Sequence, residues 1–169
     1  MVPAAKPPAC AGFDLRQLLV PVDGLPDHGQ GIPVAAELAR AFAARLHLVW
    51  VVPTPDTMPG NWAAAGRLMP GTTRALLEHA REGAGEYLAA RAAELKAAGV
   101  SATVEVGRGD PAKVIVTISR RIAADLVVLG THGKRGLDAF WAGSVAARVV
   151  SRSKVPLLLV PVAEAPGEL

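Results

Sequence analysis

Apolar residues in this chain fall into short continuous runs separated by longer stretches with helical periodicity. Gln17-Leu18-Leu19-Val20-Pro21-Val22 is such a run, ended by Asp23-Gly24, and reads as a strand followed by a turn. Residues 34–45 are Ala-rich, with Leu38, Ala41 and Phe42 on one stripe, so a helix is expected there. Pro26 and Pro33 stiffen the approach and predict a late start for it. Leu46 to Val52 forms a second apolar run. The irregular stretch from Pro53 to Gly71 carries four prolines, a length typical of a functional lid or a disordered loop. A long helix follows, with Thr72 or Thr73 as its expected cap, an apolar stripe from Leu77 to Leu95, and Gly99 as its stop. Gly83 and Gly85 weaken its middle. Three further strands are expected over 102–106, 126–129 and 156–160. Between them lie helices over 111–123, capped by Asp110, and over 144–151.

Alternation of strand and helix, with strands apolar on both faces, predicts an α/β fold: a doubly wound, five-stranded parallel sheet with helices on both faces. The aromatic content of 4% leaves Ala, Val and Leu to build its core. Residues 17–162 read as one domain between a flexible tail over 1–16 and a C-terminal tail over 163–169. No internal repeat is visible.

Charge changes the picture little. Eighteen basic and fifteen acidic residues give +3, and the first 100 residues balance at nine of each sign. The excess lies in the last 69 residues, without the Lys/Arg run or basic aromatic stripe of a nucleic-acid binder, and suggests a local anion pocket. No membrane span is expected. A single cysteine, Cys10, offers no internal disulfide, and the first fourteen residues lack the apolar segment of a signal peptide. A cytoplasmic location is the expectation.

Ligands of such sheets bind beyond the carboxyl ends of the strands, where strand order reverses. Three segments should meet there: Asp23-Gly24, Gly107-Arg108-Gly109-Asp110, and the chain from Gly130 onward. Around Gly133-Lys134 a P-loop fails twice, at Val128 and at Arg135. Gly107 to Ala112 fits G-x-G-x-x-A but comes third rather than first, with no acidic residue ending the next strand, and reads as a tight turn. Gly130-x2-Gly133-x9-Gly143-Ser144 is more specific. Two readings fit it: bare backbone N–H groups and a helix start laid against phosphate, or a mobile glycine loop ending in a Ser-capped helix. Lys134 and Arg135 either neutralise phosphate or form a solvated turn. His28, His47 and His79 show no metal-ligand spacing.

The glycine pattern, with Ser144-Val145-Ala146 running into a helix and Val155 to Val160 as a final strand, resembles the universal stress protein family, and within it the ATP-binding members. The likeness spans about Gln17 to Val162, and implies a Rossmann-like fold of the adenine nucleotide alpha hydrolase type. It implies ATP or ADP as ligand, with Mg²⁺ carried by the phosphates, and no protein metal site. The adenosine then falls between Asp23 and the Val51 backbone, with Pro21, Val22 and Gly109 also at the nucleotide site. The phosphates fall to Gly130, Thr131, His132, Gly133, Gly143, Ser144 and Val145. Leu25 stands where the family often has Ser, and Trp50 where it usually has His. Trp50 either closes the adenine pocket or packs under a helix; packing is the favoured reading. No nucleophile is spaced beside His132, so no catalytic residue is assigned. The family reading is a regulatory stress-response binding module with at most weak ATP hydrolysis. A slow ATPase or nucleotidyl-transfer enzyme on the same fold is the alternative. The resemblance further implies a homodimer through the C-terminal edge strand.

Overall fold

The computed structural model describes residues 14–23, 31–58, 68–132 and 145–162. Five strands form one parallel sheet: β1 (Gln17–Val22), β2 (Arg45–Val52), β3 (Ala102–Arg108), β4 (Leu126–His132) and β5 (Leu157–Val162). Helices α1 (Gly31–Phe42), α2 (Pro70–Ala97), α3 (Pro111–Arg121) and α4 (Val145–Val150) connect them, with a short 3-10 turn at Pro55–Thr57. The spatial order is β3-β2-β1-β4-β5, so the winding reverses between β1 and β4. The doubly wound α/β sheet expected from the pattern is the fold observed.

Alternate residues of each strand serve opposite layers. Leu18, Val20, Leu46 and Leu48 face α1 and α2, where Ala35, Ala39, Leu88 and Leu95 meet them. Leu19, Val49, Val127 and Leu129 face α3 and α4, meeting Ala112, Ile115, Ala146 and Val149. Small alanines let the helices lie close to the sheet, which is how a chain so poor in aromatics fills its interior.

Several element ends differ from expectation. Helix α1 is already helical at Gly31, the first described residue of its segment, ahead of the expected 34, and Pro33 lies within it. Helix α2 starts at Pro70, its cap position is Met69, and Thr73 N–H donates to the Met69 carbonyl at 3.0 Å, so Thr72 and Thr73 lie inside the helix. Proline's fixed φ nucleates that turn ahead of either hydroxyl. Strands β3 and β4 each run beyond the sequence estimate, to Arg108 and His132, because partners in β2 and β5 continue alongside. Helices α1, α2 and α3 all close with an N–H just beyond the helix donating to the carbonyl five positions back: Ala44 to Ala39, Val100 to Leu95 and Ala124 to Ser119. The left-handed residue in these caps is Gly99 in one and Ala43 and Ala123 in the others. Among the described residues no helix is long and apolar enough to cross a membrane.

Candidate functional site

The carboxyl rim of the sheet is where the sequence-derived site residues gather. Pro21 and Val22 end β1, with Val22 buried and Asp23 exposed just past it. Val22 pairs in register with Trp50, and Val51 with Gly107. Gly130, Thr131 and His132 are the last three residues of β4, level with Val160, Pro161 and Val162 of β5. Val145, half-buried against the α3 layer, opens α4. Gly133, Gly143 and Ser144 lie outside the described residues, as do Lys134 and Arg135.

Between β1 and β4 the paired register covers Leu18↔Leu126 and Leu19↔Val127 and goes no further toward the rim. Its neighbour β4–β5 pairs over six positions, and β1–β2 over six. Pro21 removes one donor from β1 at the level where the ladder stops. The β1–β4 ladder therefore ends short of the rim where strand order reverses, with Asp23 on one side and Gly130 on the other. The first described residue of α1 lies close to the same rim: a Cβ built on Gly31 would stand 3.5 Å from the Gly130 amide nitrogen. The two backbones thus approach closely because neither residue has a side chain there.

The turn after β3 is held from several sides. Gly109 has φ +125°, a left-handed conformation that favours glycine, and its N–H donates to the Val52 carbonyl at 3.0 Å. That bond commits the Gly109 N–H to the sheet. Asp110 caps α3 as expected, its Oδ1 accepting from Lys113 N–H at 2.9 Å. Its Oδ2 accepts from Arg148 Nη1 on α4 at 2.6 Å. The Lys113 N–H chiefly, with Arg148 and Arg152, holds the Asp110 carboxyl below its ordinary value against a smaller opposing effect of burial. Gly107 is required for contact rather than conformation: a Cβ there would lie 2.7 Å from Val114 Cγ1 and 3.4 Å from Val51 Cγ2.

Trp50 packs edge-to-face on Tyr87 of α2, ring centres 5.4 Å apart, and Arg91 lies over the same Tyr87 ring at 5.4 Å. It packs under a helix, as favoured from sequence. His47 lies lower in the sheet, its ring nitrogens 2.8 Å from Thr103 Oγ1 and 3.1 Å from Glu105 Oε2. Among the described residues no three His, Cys, Asp or Glu side chains gather as metal ligands. Sequence reasoning missed Arg148 and the packing role of Gly107. A lone arginine in the otherwise apolar VAARVV helix was the available signal for the first.

A strand-order reversal, glycine backbone at the β4 end and a capped helix after β3 mark a doubly wound α/β domain of the Rossmann-like type. The universal stress protein family model matches residues 15–161, and the chain belongs to that family. It is 29% identical over 152 residues to universal stress protein MJ0531 of Methanocaldococcus jannaschii, covering 86% of this chain and 81% of that one. Universal stress protein YxiE of Bacillus subtilis is 26% identical over 156 residues, covering 86% and 98%. Among solved structures, UspA from Lactobacillus plantarum superposes with a TM-score of 0.69 at 21% identity, covering 87% and 98%. A universal stress protein in complex with cAMP gives 0.59 at 23% identity, covering 89% and 99%. One from Archaeoglobus fulgidus in complex with dAMP gives 0.57 at 18%, covering 85% and 96%. At these identities the structural matches establish the fold.

Proposed function

We propose that this chain binds an adenine nucleotide, ATP or ADP, at the β1–β4 rim and acts as a regulatory stress-response module. The observation that carries the reading is the ladder that stops at Leu19↔Val127, which leaves the rim between Asp23 and the Gly130 backbone free of β1–β4 pairing. Neighbours of the same fold hold cAMP and dAMP, both adenine nucleotides, which supports the adenine. In this reading Pro21, Val22, Asp23, the Val51 backbone and Gly109 take the nucleoside. The phosphates lie along Gly130 to Gly133 and on Gly143, Ser144 and Val145, where bare N–H groups meet anionic oxygens. Mg²⁺ rides on the phosphates, since Mg²⁺ keeps most of its waters and needs few protein ligands. Position without an evident base makes hydrolysis slow at most.

Heat denaturation with and without Mg-ATP tests this. Ligand at a hundred times its dissociation constant adds about 2.7 kcal/mol to the folded state. For a domain of this size the melting point rises by about 5–10 °C. An equal rise with GTP overturns the adenine assignment, and no rise with any adenine nucleotide overturns the function.

Assembly follows from the sheet edges. Strand β5 lies at one edge, with Leu159 exposed and Pro156 and Pro161 bracketing the run. An apolar edge is a template for another strand, and two-fold pairing with its copy is the simplest closed solution. Leu159→Lys should then shift a dimer to monomer in light scattering while nucleotide still binds. A parent already monomeric at high micromolar concentration removes the homodimer.

A further inference from the structure

Two charged side chains far apart in sequence meet beside the rim. Asp110 gives one carboxylate oxygen to the first turn of α3 and the other to Arg148, in the middle of α4. One carboxylate therefore joins the β3–α3 turn to α4. In the described part of helix α4, Ala146, Ala147 and Val149 are buried. Most helical stability in proteins comes from tertiary packing, so these contacts set where the helix lies. Its apolar anchors are small, which raises the weight of any polar tether.

Arg148 is expensive to keep there. Its Nε is buried and has no hydrogen-bond partner among the described residues, a cost that the Asp110 pair must offset. An apolar side chain at 148 would avoid that cost and continue the buried face of the helix. Helical side chains lean toward the N-terminus, so Arg148 carries its pair with Asp110 toward Val145, the first described residue of α4. Asp110 directly follows Gly109. The pair thus spans two segments assigned above to opposite ends of the same ligand.

We propose that Asp110 and Arg148 are positioning residues of the nucleotide site, fixing the entry to α4 relative to the β3–α3 turn so that phosphate and nucleoside are gripped together. This rests on the nucleotide reading above. The pair touches no ligand itself; its effect passes through backbone placed by α4. Removing it should therefore cost ligands that use both segments and spare those that use one.

Calorimetric titration with Mg-ATP and with adenosine separates the outcomes. Asn caps a helix about as well as Asp, so Asp110→Asn removes the charge while keeping the cap. Asp110→Asn and Arg148→Gln should each weaken ATP about tenfold, which is about 1.4 kcal/mol, and adenosine less than about twofold. The double variant should be no worse than either single one, the signature of a shared interaction. Arg148→Lys should recover part of the loss, since a point charge replaces a planar fork. ATP binding at parental affinity in Asp110→Asn overturns the positioning role and leaves the nucleotide reading standing. Equal losses for ATP and adenosine also overturn it, because they mark general destabilisation. A parent that binds no nucleotide overturns the nucleotide reading itself, and the role with it.

Discussion

Replacing Gly107 by Ala tests how closely α3 lies on the sheet behind the rim. The new Cβ would stand 2.7 Å from Val114 Cγ1, with Val51 Cγ2 at 3.4 Å and Ile118 Cδ1 at 3.8 Å on its other sides. Carbon atoms settle at about 3.5–4.0 Å, so the helix must back away by about 1 Å or Val114 must turn. A β-branched side chain in a helix has essentially one χ1 rotamer, which leaves the shift to the backbone. Moving α3 loosens Ala112, Ile115 and Ile118 from the layer they fill. Overpacking of this kind costs about 1–3 kcal/mol. Loss of glycine's freedom in the unfolded chain returns about 0.5–1 kcal/mol. The net loss, centred on about 1 kcal/mol and at most about 2.5 kcal/mol, corresponds to a melting point lower by about 2–4 °C at its centre. Val114→Ala opens the space, so Gly107→Ala/Val114→Ala should be more stable than the sum of the single changes by about 1 kcal/mol. Calorimetry of the four proteins decides it. A Gly107→Ala protein melting at or above the parent temperature, or no rescue in the double variant, refutes the packing argument.

Gly83 and Gly85 lie in α2 with open space where a Cβ would be, so each change to Ala should stabilise by about 0.8–1 kcal/mol. A melting point unchanged in Gly83→Ala/Gly85→Ala would show that the helix needs that flexibility. Asp110, lowered in the folded protein, contributes stability that is complete above its ordinary value of 3.8 and is lost as pH falls through the lower folded value. Asp110→Asn should flatten that part of the acid limb in urea midpoints measured from neutral to strongly acid pH, and an identical slope in both proteins would refute it.

The five strands and the reversal of their order were legible because each strand is a continuous apolar run and each crossover carries its own periodicity. Leu126 to Leu129 marked β4 well, yet its last residues, Gly130 to His132, owe their extended form to β5 beside them, which no local pattern encodes. The same holds for Gly107: its glycine was visible, but the closeness of Val114 that makes it necessary depends on how α3 is laid across the sheet. Asp110 was legible as a cap because a cap is local. Its second partner, Arg148, is 38 residues away and depends on tertiary packing. Site residues at strand ends could be named from the motif and the family likeness. The early end of the β1–β4 ladder could not, since a missing ladder is a relation between two strands and leaves no mark on either.

That short ladder also has a mechanical side. Strands β1, β2 and β3 form one plate, joined over six and seven paired positions, and β4 with β5 forms another, joined over six. The two plates share a seam of two paired positions near their amino ends. A twist or splay of one plate against the other therefore breaks fewer ladder bonds than any deformation within a plate. A group bound across the rim between Asp23 and Gly130 would meet both plates far from the seam, where its leverage on their relative angle is greatest.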